Sequence, residues 1–200
     1  SVRKITRKAS TRIARTAFAL AAQRRRKVTV VHKANVFRLS DGLFLEAVRA
    51  VRDEYPDFEY EEQIVDAMAA LLIRDPAQFD VIVTTNMYGD ILSDEASEIA
   101  GSLGMAASLN AGEHFAMAQA QHGSAPSLAG QDIANPSSLI GSAAMLLRWI
   151  AKRHDAPHFV LAAKAIESAI STVVANPRTR TRDLGGNLGT NDYTDKLLEI

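Results

Sequence analysis

Two aspartates four residues apart form the clearest candidate for chemistry in this chain of 200 residues. Asp90 and Asp94 fall in a predicted helix, where a spacing of four places both carboxylates on one face. Two like charges so placed repel by roughly 0.2–0.5 kcal/mol. A hard divalent cation would reverse that repulsion, because Mg²⁺ and Mn²⁺ prefer carboxylate oxygens. The alternative interpretation is an ordinary acidic first turn in which an aspartate caps the helix.

A lysine follows a valine-rich strand predicted at residues 27–32. A side chain at the carboxyl end of a strand can enter a cleft, where burial would lower the pKa of the Lys33 amine and suit it to proton transfer. The alternative is a lysine that extends along the surface into water. His32, as a lone histidine, more often has a structural role.

A loop of small residues occupies positions 122–130, before a long predicted helix. Glycine and alanine let a ligand approach the backbone closely, and Asn135 offers an amide donor and an acceptor to a base. The alternative is a tight loop that packs under the helix. The chain contains no Gly-x-Gly-x-x-Gly dinucleotide fingerprint.

Strands and helices that alternate along the chain must position these residues. Apolar periodicity and turn residues predict strands at 27–32, 58–63, 80–85, 105–110 and 115–121, and helices near 5–21, 44–55, 64–73, 91–102, 136–153 and 157–175, followed by a last short helix. This order predicts an α/β fold, a layered and mostly parallel sheet with flanking helices. The segment that begins at Asn86 lies where a strand ends and a helix starts, the usual ligand crevice of open α/β sheets.

The composition excludes several classes of protein. Lys and Arg number 23, as do Asp and Glu, so a generally basic nucleic-acid binder is not expected. The absence of cysteine excludes disulfides, a thiolate nucleophile and cysteine-bound zinc or iron–sulfur sites. No run approaches the roughly 18 consecutive apolar residues of a membrane span. We expect a soluble, cytoplasmic protein with no nucleic-acid or membrane partner.

The first 27 residues carry a marked concentration of positive charge. Residues 3–27 contain ten basic residues and no acidic one. Such a segment is typical of a targeting peptide or a nucleic-acid arm. The apolar positions Ile5, Ala9, Ile13, Ala17 and Ala21 recur at helical spacing, which favours an amphipathic helix whose arginines lie on the solvent face.

Taken together, these segments resemble the isocitrate/isopropylmalate dehydrogenase family of metal-dependent decarboxylating dehydrogenases, which also includes homoisocitrate dehydrogenase. The matching stretches are VHKAN (31–35), DGLFL (41–45), IVDAM (64–68), residues 86–104, HGSAPSLAG (122–130), ANP (134–136) and DLGG (183–186). The resemblance implies an isopropylmalate-dehydrogenase-like fold that is incomplete, because the family's N-terminal strands, substrate-binding arginines and catalytic tyrosine have no counterpart in this sequence. We therefore expect the chain to be inactive alone.

The resemblance also implies a reaction and its catalytic residues. NAD, or NADP, oxidises a 2-hydroxy acid of the isocitrate, homoisocitrate or 3-isopropylmalate type, and the β-carboxylate is then lost. Lys33 resembles the acid–base lysine of the family. Asp66, Asp90 and Asp94 resemble the aspartates that bind Mg²⁺ or Mn²⁺, and Asp66 also belongs to the catalytic set. In the family the positions of Lys33 and Asp66 come from one protomer and those of Asp90 and Asp94 from its partner. This implies a homodimer.

The same resemblance implies which residues bind the cofactor and how the chain divides into two regions. The positions that resemble cofactor-binding residues are Asn35, His122, Gly123, Ser124, Ala125, Ser127 and Asn135. Residues 1–104 resemble the central dimerisation and metal-binding region. Residues 105–200 resemble the cofactor loop and the C-terminal helices of the larger domain.

The sequence departs from the family pattern at the cofactor loop. Gln119 and Ala120 replace a common Glu-Pro pair. NAD-using members usually carry Asp at the position of Ser127, whereas NADP-using members carry Lys-Tyr at Ser127 and Leu128. A serine supplies no cation for a 2′-phosphate, which favours NAD.

The sequence leaves two further choices open. His32 favours isocitrate or homoisocitrate over isopropylmalate, because isopropylmalate enzymes more often have Asp at that position. A non-catalytic regulatory subunit is the alternative function, and degenerate metal ligands would mark it. Lys33, Asp66, Asp90 and Asp94 are all present in this sequence.

Overall fold

A parallel sheet of three strands organises the first half of the chain in this computed structural model, which describes residues 2–200. The strands are β1 (Lys27–His32), β2 (Glu59–Ile64) and β3 (Val81–Thr84), in the order β2-β1-β3. Val31 of β1 lies opposite Gln63 of β2 and Thr84 of β3, and both pairings are parallel. All three strands therefore end at the same edge of the sheet, which confirms the predicted α/β fold.

Four helices accompany this sheet in a unit that ends at Ile99. They are α1 (Arg7–Ala21), α2 (Ser40–Arg52), α3 (Val65–Arg74) and α4 (Asn86–Ile99). The central strand β1 is buried on both faces: Val28 and Val30 pack in a cluster with Phe18 of α1, and Val31 packs with Met68 of α3. Each such buried side chain contributes about 1.5–3 kcal/mol of transfer free energy.

The basic N-terminal segment folds as the predicted amphipathic helix. Ala14, Ala17 and Phe18 of α1 are buried, and the side chain of Thr6 accepts a hydrogen bond from the backbone N of Ala9 at 3.2 Å to cap the helix. One part of the expectation is wrong, because Arg3 does not lie on the solvent face. Its guanidinium contacts a buried carboxylate instead.

The helix α4 begins earlier than the sequence predicts. Its first residue is Asn86, five positions before the expected start at Ile91, because Tyr88 is buried on the core face and Gly89 is accommodated within the helix. Asp90 and Asp94 therefore lie in the second and third turns. The interpretation of Asp90 as a first-turn cap is wrong.

The second unit, Ala100–Ile200, contains a hairpin, three α-helices and four short 3₁₀ helices. The antiparallel strands are β4 (Ala107–Ala111) and β5 (Ala116–Ala120), and the helices are α5 (Ser137–His154), α6 (Pro157–Ala175) and α7 (Thr190–Leu198). The face of α5 toward the hairpin carries small residues. Ser142 Oγ accepts from the backbone N of Ser108 at 2.9 Å and lies 2.7 Å from the carbonyl of Gln119. Small side chains thus let α5 sit close to both strands.

One helix among residues 2–200, α6, is long and apolar enough to cross a membrane by length and composition, with a mean hydropathy of 1.4. Its Glu167 accepts a hydrogen bond from Nε of Arg148 in α5 at 2.7 Å. This ion pair joins two helices of the same unit and favours packing of α6 along α5.

Candidate functional site

The carboxyl edge of the sheet brings Lys33 and Asp66 together. Lys33 directly follows β1, and Asp66 is the second residue of α3, which follows β2. Nζ of Lys33 donates to Oδ1 of Asp66 in a short ion pair. The bond from Lys33 lowers the pKa of the Asp66 carboxyl, which therefore stays ionised over a wider range of pH. The lysine is three-quarters buried, whereas Asp66 is largely exposed.

The turn after β1 is fixed by its own side chains. Nδ1 of His32 accepts from the backbone N of Ala34 at 3.0 Å, and burial lowers the pKa of His32. Because Nδ1 accepts this bond, a neutral His32 ring carries its proton on Nε2. The backbone N of Phe37 donates to the carbonyl of Lys33 at 2.8 Å, and Asn35 lies exposed within the turn. His32 thus has the structural role that a lone histidine suggests.

A buried aspartate that motif reasoning left without a role supports the same turn. Oδ2 of Asp41 accepts from the backbone N of Lys33 at 2.7 Å, and Oδ1 accepts from Nη2 of Arg3 at 2.6 Å. The only sequence signal for Asp41 is a charged residue at the start of the apolar stretch DGLFL. A buried carboxylate without a partner would be strongly unfavourable, so both contacts are needed.

The two aspartates of α4 are exposed and lie one helical turn apart. Their oxygens are the donor type that Mg²⁺ and Mn²⁺ prefer, so the pair fits a divalent cation. Within residues 2–200 no three acidic or histidine side chains gather around one point. A single copy of the chain therefore does not bring Asp66 to Asp90 and Asp94.

The small-residue loop lies between β5 and α5 and leaves much of its backbone open. Gly123, Ser124, Ala125 and Ser127 are exposed, and Nδ1 of His122 lies 2.9 Å from the carbonyl of Gly123. A Cβ added at Gly123 would meet no other atom within 4 Å, so packing in the described chain does not require this glycine. The space above it remains open to a ligand.

Asn135 is bonded differently from the expectation. It is buried, its Oδ1 accepts from the backbone N of Ser137 at 3.0 Å, and its Nδ2 donates to Oδ2 of Asp183 at 2.9 Å. The side-chain amide therefore caps α5 and holds the segment that carries Asp183. Both ends of this amide are bonded within the protein. The side chain of Asn135 therefore agrees with the alternative interpretation, in which the loop packs under the helix.

Asp183 is a second residue to which motif reasoning gave no role. Its Oδ2 accepts from Ser102 Oγ at 2.5 Å as well as from Asn135. Burial opposes ionisation, but hydrogen bonds from Ser102 and Asn135 outweigh it and lower the pKa of Asp183. A Cβ added at Gly104 would lie 2.9 Å from Cβ of Asn135, so this junction requires glycine.

Known proteins are similar to this chain in sequence. The profile of the isocitrate/isopropylmalate dehydrogenase family matches residues 1–197. Over 193 residues the chain is 47% identical to a protein named 3-isopropylmalate dehydrogenase from Sulfurisphaera tokodaii, covering 96% of this chain and 57% of that protein. It is 43% identical over 201 residues to a mitochondrial regulatory subunit of NAD isocitrate dehydrogenase from Dictyostelium discoideum, covering 100% of this chain and 55% of that protein.

A solved structure shows the same fold. The crystal structure of isocitrate dehydrogenase from Methylococcus capsulatus superposes with a TM-score of 0.90 at 42% identity, over all of this chain and 57% of that chain. This chain thus spans little more than half the length of the proteins it matches.

Proposed function

The chain belongs to the isocitrate/isopropylmalate dehydrogenase family, and from this premise we propose that its protein oxidises a 2-hydroxy acid with NAD and removes the β-carboxylate of the product. The observation that carries the proposal is the ion pair between Lys33 and Asp66 at the carboxyl edge of the sheet. Open α/β sheets bind their ligands at this edge. A lysine held there by a carboxylate is placed for proton transfer.

Lys33 is the proposed proton carrier. Oxidation of the hydroxyl group requires that its proton leave, and loss of the β-carboxylate requires that a carbon atom receive one. In its neutral form the Nζ atom can accept the first proton, and the ammonium so formed can return one in the second step. Asp66 orients that atom through its short contact.

Asp66, Asp90 and Asp94 are the proposed ligands of Mg²⁺ or Mn²⁺. A bound divalent ion polarises the hydroxyl and carbonyl oxygens of the substrate and stabilises negative charge. Since one copy does not gather the three carboxylates, we propose a homodimer in which Lys33 and Asp66 of one protomer meet Asp90 and Asp94 of the other.

Exposed apolar side chains on α3 and α4 support this dimer. Ile73 of α3 is 71% exposed, and Met87 and Ile91 of α4 are 52% and 61% exposed. Met87 and Ile91 are four residues apart and share one face of α4. Apolar side chains grouped in this way favour a protein interface over contact with water.

The loop at 122–130 is the proposed nucleotide site. Residues 122–135 contain no Lys or Arg, so this loop offers no cation for the 2′-phosphate of NADP. We therefore propose NAD as the preferred cofactor. Ser127 provides one hydroxyl near the proposed ribose position, a weaker acceptor than the carboxylate found in NAD-using relatives.

The negative charge of the substrate requires cations in the site. Substrates of this class carry two or three carboxylates, and one divalent ion cannot neutralise these together with three aspartates. Residues 80–135 contain no Lys or Arg. Because the chain spans little more than half the length of the relatives it matches, we propose that further cations which bind the substrate come from the rest of the protein, and that the chain alone is inactive.

A panel of substrates tests the proposed reaction. The full-length protein is assayed with Mn²⁺ and NAD against isocitrate, homoisocitrate and 3-isopropylmalate, and NADH is followed by its absorbance. We expect turnover with one of the three that disappears when the metal is removed by EDTA. No turnover on any of them would contradict the proposal.

The second candidate function is a regulatory subunit, favoured by the 43% identity to the regulatory protein of Dictyostelium discoideum. Such a subunit would show no turnover by itself but would alter the kinetics of a catalytic partner. The presence of Lys33 and all three candidate metal ligands supports the catalytic alternative. Turnover by the protein without any partner chain distinguishes the two.

A further inference from the structure

The carboxylate of Asp41 has no exposed surface and lies between the turn that carries Lys33 and the side chain of Arg3. One of its oxygens binds the backbone N–H of Lys33, and the other binds the guanidinium of Arg3. Both are charge-assisted hydrogen bonds, which are shorter and stronger than neutral ones. The backbone of Lys33 is thus tied to a buried, fixed acceptor.

The guanidinium of Arg3 reaches a third segment as well. It donates to Thr85 Oγ1 at 3.0 Å and to the hydroxyl of Tyr88 at 3.4 Å. It also lies over the aromatic rings of Phe37 and Tyr88, 5.3 and 5.0 Å from their centroids. Thr85 directly precedes α4, the helix of the proposed metal ligands. One side chain therefore links the lysine turn to the start of that helix.

We propose that Asp41, held in place by Arg3, is a positioning residue that fixes the backbone of Lys33 and so determines where its amine can act. The proposal rests on the proposed catalytic role of Lys33. A lysine has a flexible four-carbon stem, so its reach depends on how firmly its backbone is held. Misplacement of a catalytic group by about 1 Å can reduce a rate on the order of 100-fold.

A purely structural role would have a different signature. If the pair only stabilised the fold, its loss would lower the melting temperature but leave kcat unchanged in the protein that remains folded. The matched control is Arg7→Gln, which breaks an ion pair between Arg7 and Glu46 at 2.9 Å. That pair lies in the same region of the chain, but both of its side chains are exposed.

The experiment compares Arg3→Gln, Asp41→Asn, the double variant and Arg7→Gln in the full-length protein. Each is checked for folding by circular dichroism, and kcat is measured separately from the KM for NAD. The backbone amide proton of Lys33 is followed by NMR of protein labelled with ¹⁵N-lysine. In the wild type this proton should resonate downfield, because it donates to a carboxylate at 2.7 Å.

We expect each single variant to lower kcat by about 10- to 100-fold with little change in the KM for NAD, and to shift the Lys33 amide proton upfield. The double variant should be no worse than the singles, because both remove the same support. Arg7→Gln should change neither quantity. Folded variants that retain the wild-type kcat and the Lys33 amide shift would overturn the proposal.

Two provisions keep the test decisive. If the glutamine variant does not fold, Arg3→Lys retains the positive charge but loses the forked donor, and an unchanged amide shift in Arg3→Lys would overturn the proposal. If the wild-type protein shows no dehydrogenase activity, the proposed function fails. The amide shift then still decides whether Asp41 and Arg3 hold Lys33.

Discussion

Asn135 and Asp183, 48 residues apart in the chain, are joined by a hydrogen bond of 2.9 Å from the amide Nδ2 to the carboxylate Oδ2. The bond connects the residue that caps α5 with the segment before α7. Because Ser102 donates to the same oxygen at 2.5 Å, one carboxylate holds three separate segments of the second unit. The loop proposed for the cofactor, residues 122–130, precedes this junction by five residues in the chain.

Loss of the Asp183 carboxylate should destabilise the protein in a pH-dependent way. Its pKa is lowered in the folded state, so its stabilising effect is complete above the unfolded pKa of about 3.9 and is lost as the pH falls through the folded value. We expect Asp183→Ala to cost about 1–3 kcal/mol of unfolding free energy at pH 7. Urea titrations at several pH values should show this difference shrinking at acidic pH.

The matched control for that measurement is Asp195→Ala, since Asp195 is an exposed aspartate of α7 in the same unit. Its removal should change the unfolding free energy by less than about 0.5 kcal/mol. Equal losses of unfolding free energy in the two variants would contradict the stabilising role of the Asp183 hydrogen bonds.

Removal of either aspartate of α4 should weaken metal binding. Asp90→Asn and Asp94→Asn each keep the size of the side chain but remove one negative charge that attracts a hard cation. Calorimetric titration of the full-length protein with Mn²⁺ should show a loss of affinity of at least about tenfold in each variant. Asp57→Asn, at an exposed position outside the proposed site, serves as the control. Unchanged affinity in both α4 variants would contradict the assignment.

The sequence predicts the sheet and its helices because their signals are local. The valines of β1 form a short apolar run, and the structure buries that strand on both faces. The predicted start of α4 is less accurate than the predicted strands. Met87 and Ile91 are exposed in the described chain, and apolar periodicity does not reveal which face of the helix packs inward. Burial of Tyr88 decides the register, and that depends on tertiary packing.

The sequence predicts one part of the candidate site but not another. The one-face placement of Asp90 and Asp94 follows from a spacing of four residues. The contact of Arg3 with Asp41 cannot be predicted from residue spacing, because 38 residues separate the two. The helical pattern of the first segment also assigns its arginines to the solvent face. Only the folded chain brings these charges together.

Complementation tests whether the site is shared between protomers. Lys33→Met and Asp90→Asn should each be inactive as homodimers. In a mixed dimer of the two variants, one of the two sites would receive an intact Lys33 from one protomer and an intact Asp90 from the other. Refolding an equal mixture should therefore restore about a quarter of the wild-type activity, since half of the dimers are mixed and each has one intact site.

The control for complementation is a mixture of Lys33→Met with Asp66→Asn. In the proposed dimer these two positions come from the same protomer, so a mixed dimer contains no intact site. Restoration of activity in this mixture, or none in the first, would contradict the proposed arrangement.

Cofactor preference should respond to a single position. Ser127→Asp introduces a carboxylate that can accept hydrogen bonds from a ribose and that repels a 2′-phosphate. We expect kcat/KM for NAD to rise on the order of tenfold and kcat/KM for NADP to fall. Ser168→Asp on the exposed side of α6 should change neither. A wild-type preference for NADP of tenfold or more would overturn the proposed choice of NAD.

The stoichiometry of the reaction, measured with and without Lys33, tests the proposed chemistry most directly. The full-length protein is supplied with Mn²⁺, NAD and the substrate that gives turnover in the panel, and NADH and CO₂ are quantified together. We predict one CO₂ per NADH in the wild type, and a loss of kcat of roughly 10²–10⁴-fold in Lys33→Met but not in Lys8→Met, at an exposed position of α1. NADH formed without CO₂, or a Lys33→Met variant with nearly normal turnover, would contradict this chemistry.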